Sequence, residues 1–517
     1  MDPVNDHRAL RLPPIHPRSS RGRGGLLAIG LIAPLAAGFL AWRGSFDGLY
    51  GQDPYAYYDY AIGTLRGWLS AGPSLNLPFF YWPPGYPALI LLAAQGIGLS
   101  PLAGQVVSLC AGGLAAVFTG LLARELDRDD RRVPLLAALM VAFSGQLWQS
   151  AMVVMPDTAA LAAATGGVWA LARYARRNSL RWLLLAAGAL AWAVITRWVY
   201  ALVAIPCALY ALVVLSRQPR RVALAHGLAA AIWVAVMLGP VVVPTVSAIL
   251  KPGGGPIPFG ADFEVYTWNP LNALRSEFVN ADGHLVYRLP TGLYYTLAPA
   301  REYYFTPLLA LFILPGLWVV ARRRSLGSRL LVVGWAAIVY VFLIGAQWQN
   351  FRFTLSFMPP LAILAAIGLE RTTGAIGRIP QRGLMGSLVV VSLLWMAFSG
   401  ASLAQGFIER KDADLEVVRW AESRTPPDAR LLAFSITLTF QHYSRLETRE
   451  LYTLDPAQLA ALTVERRPTF LLINVENVEQ QWAGRSPSEN TRWLRDGPGL
   501  AALGQFRDYT LFRVGSP

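Results

Sequence analysis

Between residues 102 and 123 the chain reads LAGQVVSLCAGGLAAVFTGLLA, and between 124 and 132 it reads RELDRDDRR. The first stretch has no charged side chain and is long enough for a helix of about 20 residues, the length that a bilayer requires. The second stretch is rich in arginine, which at the end of an apolar helix indicates the cytoplasmic side of a membrane. This pattern predicts a membrane-spanning helix, and it recurs along the chain.

Eleven apolar blocks predict eleven spans, and with that number all the arginine runs share the cytoplasmic side. The short apolar piece at 86–99 opens on a Pro-Pro-Gly-Tyr-Pro turn and is predicted to dip into the membrane or lie on its surface on the outer side, without crossing. The blocks are 25–42, 102–123, 133–152, 157–173, 182–197, 198–216, 222–249, 304–321, 329–346, 354–370 and 384–404.

The composition supports a polytopic membrane protein. Of 517 residues, 54% are hydrophobic and only 15% are charged, and this composition does not fit a soluble enzyme. The net charge of +14 comes from short arginine runs between apolar blocks, so it does not indicate nucleic acid binding. Cys110 and Cys207 lie inside apolar blocks without a Cys/His cluster, and we predict no disulfide, no metal and no cofactor.

The predicted fold class is an α-helical polytopic membrane protein with a small C-terminal α/β domain outside the membrane. Residues 1–24 are assigned to a cytoplasmic segment and 25–404 to the transmembrane domain, whose external loops are 43–101 and 251–303. Residues 405–517 contain strand-like stretches and are assigned to the external domain. Arginine-rich, lysine-poor composition favours a bacterial inner membrane, with the N-terminus cytoplasmic and the C-terminal domain on the other side.

The first external loop carries the segment GQDPYAYYDY at 51–60. Asp53 is a candidate general base beside the bilayer, and Tyr57 shares its helix face at i+4. A helix N-cap is the alternative role of Asp53, because a carboxylate is favoured at the positive end of a helix. Asp59 lies on another face and is predicted to pair with Arg66, one heptad away.

Two further charged residues lie at predicted outer ends of spans. Asp157 follows Pro156 at the start of a span, where it is either a structural cap or a catalytic group. Arg352, in the sequence QWQNFRF at 347–353, either reaches lipid phosphate from the bilayer surface or binds the phosphate of a substrate. Weaker substrate-binding candidates are Arg197, Lys251 and His284.

At these residues the chain resembles the GT-C glycosyltransferases, the group that includes protein O-mannosyltransferases and the aminoarabinose transferase of lipid A. The resemblance covers about residues 25–404 and rests on four motifs. These are Asp53, the Pro-Pro-x-Tyr-Pro element with Tyr86, the pair Pro156-Asp157, and Arg352-Phe353. Family members often have two adjacent acids in the first loop, whereas here Pro54 follows Asp53, so the second acid is absent or is supplied by Asp157.

The resemblance implies transfer of a sugar from a polyprenyl-phosphate donor to a lipid, glycan or protein acceptor on the non-cytoplasmic face. Asp53 would accept the acceptor proton, attack would invert the anomeric centre, and Arg352 would hold the leaving phosphate. The alternative is a transporter or flippase of lipid-linked sugars. Such proteins often have inverted repeats, which this sequence does not show, and the collection of charged candidates on one side favours an enzyme.

Overall fold

The structure is a computed structural model that describes residues 21–72, 77–127, 130–251, 267–322, 325–376, 379–465 and 467–515. Most of the predicted cytoplasmic segment and the first part of the 251–303 loop lie outside these ranges. The described part of the membrane region is helical. Its α-helices are Arg21–Gly30, Ile32–Arg43, Gln52–Asp59, Arg66–Ser70, Gly85–Ile97, Pro101–Leu126, Arg132–Ala142, Gly145–Met152, Asp157–Arg177, Leu180–Thr196, Tyr200–Ser216, Arg220–Leu250, Thr291–Leu297, Thr306–Ala310, Ile313–Arg322, Leu326–Ser328, Trp335–Gly345, Phe351–Thr354, Met358–Ile376 and Ile379–Glu422.

Shorter helical turns connect these helices. Tyr60–Leu65 and Arg329–Gly334 are π-helical, and Pro270–Leu274, Ala298–Ala300 and Leu355–Phe357 are 3₁₀-helical. The 251–303 loop also contains a hairpin of strands β1 (Glu277–Asn280) and β2 (Gly283–Val286).

A helix occupies each of the eleven predicted spans, but not all of them meet the length and apolarity of a span. Among the described residues, six helices are long and apolar enough to span a bilayer. A seventh is obtained if the bent pair Arg132–Ala142 and Gly145–Met152, with 54° between its helices, is counted as one span. Three more predicted spans are apolar helices of 17 residues or fewer, and the eleventh, Asp157–Arg177, has 21 residues but falls below the apolarity of a span. The chain is a multi-pass membrane protein, and the number eleven stays a prediction. The six are Gly24–Arg43, Pro101–Leu126, Arg220–Leu250, Leu326–Gly345, Phe351–Gly374 and Gly383–Glu422.

Small residues let the central helices approach each other closely. In the helix Asp157–Arg177, a Cβ added at Gly167 would lie 2.8 Å from Leu190 of the next helix, and one added at Gly166 would lie 3.1 Å from Phe118. In lipid, helices associate through van der Waals packing more than through water exclusion, so small residues at the contacts favour association. The Asp157–Arg177 helix is accordingly buried on most of its faces.

The C-terminal region forms a five-stranded sheet with helices around it, in the order β4-β3-β5-β7-β6. Strands β3, β4 and β5 are parallel, and β7 and β6 are antiparallel additions at one edge. Every residue of β3 and β5 is buried, as expected for central strands covered on both faces. The strands are β3 (Arg430–Ala433), β4 (Glu447–Glu450), β5 (Thr469–Ile473), β6 (Leu500–Phe506) and β7 (Tyr509–Val514), and the helices are Thr437–Tyr443, Leu451–Thr453, Pro456–Val464, Val475–Gln480 and Ser486–Asp496.

The predicted fold class is confirmed, since a helical membrane region is followed by a small α/β region. The strand-like stretches of the tail are strands. The helix Ile379–Glu422 continues without a break through residue 405, where we placed the domain boundary, so it joins the two regions rigidly. The assignment of domains to sides of a membrane stays a prediction.

Candidate functional site

Four charged residues from four separate segments meet at one end of the helical region. Arg352 Nη2 lies 3.1 Å from Asp53 Oδ2, and Arg352 Nε lies 3.8 Å from Asp157 Oδ2. Arg197 Nη1 lies 2.5 Å from Asp157 Oδ1. We call Asp53, Asp157, Arg197 and Arg352 the acid–arginine cluster. All four were candidates from the sequence, and the fold brings them into one site.

Each member of the cluster lies where a helix begins or ends. Asp53 is in the first turn of Gln52–Asp59, which follows Gly51 at a φ of 79°. Asp157 is the first residue of its helix, and Arg197 follows the last residue of Leu180–Thr196. Arg352 is in the short helix Phe351–Thr354, where the Asn350 side chain accepts a hydrogen bond from the Arg352 backbone N–H. Neither aspartate is the N-cap residue of its helix, since Gly51 and Pro156 occupy those positions, and both carboxylates pair with arginines instead.

Hydrogen bonds from the helix Pro101–Leu126 hold the turn before Asp157. Gln105 Nε2 donates to the Met152 carbonyl oxygen at 2.8 Å and to the Phe46 carbonyl oxygen at 3.1 Å. Ser108 Oγ donates to the Met155 carbonyl oxygen at 3.1 Å. These bonds connect the Asp157 turn to the start of the first external loop, so one helix fixes the positions of both aspartate-bearing segments.

Tyr57 and Tyr86 form an aromatic wall beside the cluster. Both are buried, and their rings are perpendicular with centroids 5.7 Å apart, while Trp82 lies 5.4 Å from Tyr57. Tyr86 Oη donates to the Gly104 carbonyl oxygen at 2.9 Å, which anchors the Pro-Pro-Gly-Tyr-Pro turn. Burial raises the pKa of Tyr57 well above its ordinary value, against the opposing effect of Arg197, so its phenol is neutral at physiological pH.

The cluster contains hydrogen-bonding capacity that the described residues do not use. Asp157 Oδ2 and Arg352 Nε are both buried and face each other as an ion pair at 3.8 Å, beyond hydrogen-bond distance, and neither has a hydrogen-bond partner in the described structure. An unsatisfied buried polar atom costs about 1 to 3 kcal/mol, so such atoms are rare and often mark binding or catalytic sites. Asp157 is nearly buried, with 4% of its side chain exposed, whereas Asp53 is 31% exposed. Asp53 is therefore the acid that a substrate can reach most easily.

The two arginines share one aromatic neighbour. The guanidinium carbons of Arg197 and Arg352 lie 5.5 and 5.7 Å from the centre of the Phe353 ring. An aromatic face attracts cations, which offsets part of the repulsion between two guanidinium groups placed near each other. Two arginines held in this way can bind a phosphate, whose oxygens match the fork of a guanidinium group.

The other two candidates lie elsewhere. Lys251 is exposed at the end of the helix Arg220–Leu250. His284 is in strand β2, where its Nε2 lies 2.7 Å from Glu277 Oε1. Within the described ranges neither side chain contacts the cluster, so a role for them in substrate binding stays a prediction that the geometry does not support.

The prediction that Asp59 pairs with Arg66 is wrong. Asp59 Oδ1 instead lies 2.9 Å from Nε2 of His442, a residue of the C-terminal region 383 positions away in the sequence. A heptad separation places Asp59 and Arg66 near one helix face, but His442 of the C-terminal region lies close enough to pair with Asp59 instead. Nothing in the sequence around Asp59 or His442 indicates that contact.

A second group of charged residues, which we did not predict, joins the C-terminal region to the first external loop. Lys411 Nζ donates to Asp47 Oδ1 and, at 2.8 Å, to Tyr443 Oη, and Tyr443 Oη donates to Asp47 Oδ2. Together with the Asp59–His442 pair, these residues form what we call the clasp. Lys411 is one of only two lysines in an arginine-rich chain, and that was the one signal in the sequence.

Comparison with known proteins gives a family match and a fold. No curated protein shows a significant sequence match. Residues 82–243, which include Asp157 and Arg197, match the family model described as dolichyl-phosphate-mannose-protein mannosyltransferase.

The structure is similar to crystal structures of ArnT from Cupriavidus metallidurans. The one bound to undecaprenyl phosphate is 15% identical, with a TM-score of 0.61 over 96% of this chain and 100% of that chain. The apo structure is 14% identical, with a TM-score of 0.61 over 94% and 98%. The arabinosyltransferase EmbB from Mycobacterium smegmatis aligns at 11% identity and a TM-score of 0.42, over 86% of this chain and 44% of that one. The chain thus has the fold of the ArnT structures, so the resemblance identified from its motifs is confirmed at the level of the fold.

Proposed function

We propose that the protein is a membrane glycosyltransferase that moves a sugar from a polyprenyl-phosphate donor to an acceptor on the non-cytoplasmic face of a bacterial inner membrane. The observation that carries the proposal is the acid–arginine cluster, with the partly exposed carboxylate of Asp53 and the Arg352 Nε that makes no hydrogen bond to the described residues. Its setting supports the proposal, because one ArnT structure of the same fold is bound to undecaprenyl phosphate.

The geometry of one helix supports the sidedness. Asp157 and Arg177 are the first and last residues of a 21-residue helix, so they are about 30 Å apart at 1.5 Å per residue, which is the thickness of a bilayer core. Arg176 and Arg177 are in the last turn of that helix. Because arginine-rich helix ends favour the cytoplasm, the cluster belongs on the opposite side.

Arg352 and Arg197 are the proposed phosphate-binding residues. A polyprenyl-phosphate sugar is a phosphodiester with one negative charge, and breaking its bond to the sugar leaves a phosphate monoester with greater charge. Cationic groups that are already in place stabilise this increase more than they stabilise the bound donor, which lowers the barrier. Arg352 Nε, which lacks a hydrogen-bond acceptor among the described residues, has the capacity for a phosphate oxygen.

Asp53 is the proposed general base. Its carboxylate accepts the proton of the acceptor hydroxyl or amine while the acceptor atom forms a bond to the anomeric carbon of the sugar. The electrons of the bond between that carbon and the phosphate oxygen leave with the polyprenyl phosphate, and attack from the opposite face inverts the configuration. In the structure Asp53 is paired with Arg352. A donor phosphate that binds Arg352 competes for that pair and releases the base only when the donor is present.

Asp157 is proposed to orient the two arginines. It lies within 4 Å of both guanidinium groups and is too buried to reach an acceptor easily. A buried carboxylate has a high desolvation cost unless it is paired, and Asp157 is paired with both arginines. Its contact with Arg352 holds that guanidinium group within reach of Asp53. Tyr57 and Tyr86 are the proposed wall of the sugar site.

The test is release of polyprenyl phosphate and appearance of glycosylated acceptor by the purified protein in lipid, supplied with a panel of polyprenyl-phosphate sugars. We expect Asp53→Asn to lower transfer about 10²- to 10⁴-fold, the usual contribution of a positioned base. Asp496→Asn is the matched control, because Asp496 is exposed at the end of a C-terminal helix. It should retain the wild-type rate.

Equal rates for Asp53→Asn and Asp496→Asn would remove Asp53 as the base. Movement of an intact lipid-linked sugar between leaflets, without release of polyprenyl phosphate, would replace the transferase by the flippase.

A further inference from the structure

The C-terminal region contacts both external segments that carry the proposed catalytic machinery. One contact is made to the helix of Asp53, and the other reaches the segment of Arg352 through the β1–β2 hairpin. We propose that the C-terminal region is a positioning element that sets the relative placement of Asp53 and Arg352, with His442 and Gln481 as its positioning residues. The inference rests on the proposed function, since it assigns those two residues to one reaction.

His442 makes the first contact. Its Nε2 lies 2.9 Å from Asp59 Oδ1, and its ring lies 4.9 Å from Tyr55 and 6.0 Å from Tyr58. Asp59, Tyr55 and Tyr58 belong to the same eight-residue helix as Asp53. One imidazole from the C-terminal region therefore contacts three residues of the Asp53 helix.

The adjacent part of the clasp reinforces this contact. Tyr443, next to His442, donates to Asp47 at the entry to the first external loop, and Asp47 also pairs with Lys411. Lys411 is nearly buried, with 5% of its side chain exposed. The Asp53 helix is thus fixed to the C-terminal region at its last residue and at the segment that precedes it.

Gln481 makes the second contact. Its side-chain Nε2 donates to the backbone carbonyl oxygen of Asp282 at 2.7 Å. The backbone carbonyl oxygen of Gln481 accepts from the His284 backbone N–H at 2.6 Å. Gly283, between these two residues, has a φ of 88°, and a Cβ there would overlap the Gln481 carbonyl oxygen. The turn of the β1–β2 hairpin is thus shaped to fit Gln481.

The hairpin continues the contact to the Arg352 segment. Trp348 Nε1 donates to Asp282 Oδ2 at 2.6 Å, and the Trp348 carbonyl oxygen accepts from Tyr295 Oη at 2.9 Å. Trp348 is four residues before Arg352. Two hydrogen bonds, from the Gln481 side chain to the Asp282 backbone carbonyl and from the Trp348 indole to the Asp282 carboxylate, therefore lead from the C-terminal region to the segment that carries Arg352.

The places of the two residues in their helices explain why positioning matters. Asp53 lies in the first turn of a helical run that continues through Tyr60–Leu65 and Arg66–Ser70, and Arg352 lies in the first turn of the helix Phe351–Gly374. A first turn lacks part of the hydrogen bonding of a helix interior. A displacement of 1 Å can lower a rate by about 100-fold, so mobile segments would not hold a base and a phosphate clamp in register. The C-terminal region adds contacts at or beside the first turns of both helices.

The two contacts predict different kinetic effects. Loss of the His442 contact loosens the base, so it lowers kcat and leaves the KM for the donor near its wild-type value. Loss of the Gln481 contact loosens the phosphate clamp, so it raises the donor KM and changes kcat less. A general loss of folded protein lowers the apparent kcat in every variant and leaves KM unchanged, so the Gln481 effect separates positioning from stability.

The experiment compares His442→Phe, which keeps an aromatic ring but loses the donor, with His442→Gln, which keeps an N–H donor. We expect kcat to fall about 10- to 100-fold in His442→Phe and to be largely restored in His442→Gln. Gln481→Leu should raise the donor KM about fivefold by weakening ground-state binding. Arg495→Gln is the control, because the Arg495–Glu479 pair is half-exposed within the C-terminal region.

Hydrogen–deuterium exchange tests the same proposal without any substrate. We expect faster exchange of amides 53–59 in His442→Phe and of amides 347–353 in Gln481→Leu, while strands β3 and β5 keep their protection. Asp59→Leu removes the hydrogen bond between His442 and Asp59 from the Asp59 side, and this variant replaces His442→Phe if the latter does not fold. Unchanged exchange in both segments, or a kcat in His442→Phe equal to that of Arg495→Gln, would overturn the proposal. If the wild type turns over no donor, the proposed transfer fails, and the exchange result still decides the positioning.

Discussion

The acid–arginine cluster and the clasp both contain aspartates paired with cations near the same external loop, yet they differ in how fully their atoms are bonded. In the clasp, both carboxylate oxygens of Asp47 accept hydrogen bonds, and Lys411 has two oxygen partners. In the cluster, Asp157 Oδ2 and Arg352 Nε have no hydrogen-bond partner within the described ranges. The two groups have similar burial and charge, so what distinguishes them is whether their buried polar atoms have hydrogen-bond partners.

This difference separates two uses of buried charge. A fully bonded group gains the most from its neighbours and is destabilising to remove, as expected of a structural contact. A group with free hydrogen-bonding capacity carries an unfavourable free energy that a ligand can relieve. We therefore expect substitutions in the cluster to affect transfer most and substitutions in the clasp to affect stability most.

Of the three substitutions that test this comparison, Arg352→Gln is expected to have the largest effect. The leaving phosphate loses a cation, and removal of one such stabilising group usually lowers kcat about 10²- to 10³-fold. The free energy of unfolding should change by less than about 1 kcal/mol, because Asp157 keeps Arg197 and the Arg352 side chain is partly exposed. Transfer and thermal unfolding are measured on the same preparation. A large loss of stability would mean that the cluster is structural like the clasp.

The next effect in size is that of Lys411→Met. Breaking a buried ion pair usually costs about 3 to 5 kcal/mol, and a third of the Asp47 side chain is exposed, so we expect a loss of about 2 to 3 kcal/mol. Unfolding in detergent micelles measures it, with Arg410→Gln as the control on the same helix. If Lys411→Met and Arg410→Gln have the same free energy of unfolding, the clasp does not stabilise the protein, and the proposed structural role of its bonded charges is wrong.

The smallest effect is expected for Asp59→Asn. Asp59 is 43% exposed, and an exposed ion pair contributes about 0 to 1 kcal/mol. The amide oxygen can still accept from His442, so the free energy of unfolding should stay within about 1 kcal/mol of the wild type. The same unfolding assay, repeated at high salt, checks whether charge matters. A loss as large as that of Lys411→Met would show that the exposed half of the clasp also stabilises the fold.

Much of the candidate site could be predicted because its residues stand in unusual places. Asp53 and Asp157 are acids at the ends of apolar segments, and Arg352 is a cation where the topology gave no reason for one. The resemblance implied that Asp53 and Arg352 serve one reaction, but their direct ion pair could not be predicted, since 299 residues separate them. His284 and Lys251 were chosen for the same kind of reason, and the fold places them elsewhere.

The clasp shows the limit more clearly. Lys411 and His442 lie in stretches that look like ordinary solvated helix, and nothing nearby in the sequence identifies Asp47 and Asp59 as their partners. The pairing exists because the helix Ile379–Glu422 carries the C-terminal region over the first external loop. Only the summed packing of many helices sets that placement.

The sequence alone determined that the chain is a helical membrane protein with a small α/β region after it, and it determined which segments are apolar. The physical reason is that transfer of a segment into lipid is a local property, the sum of its own side chains. The tertiary structure alone decided which charges meet, which of their atoms stay unsatisfied, and that His442 rather than Arg66 pairs with Asp59. Those outcomes depend on distances between segments far apart in the chain, and packing sets these distances.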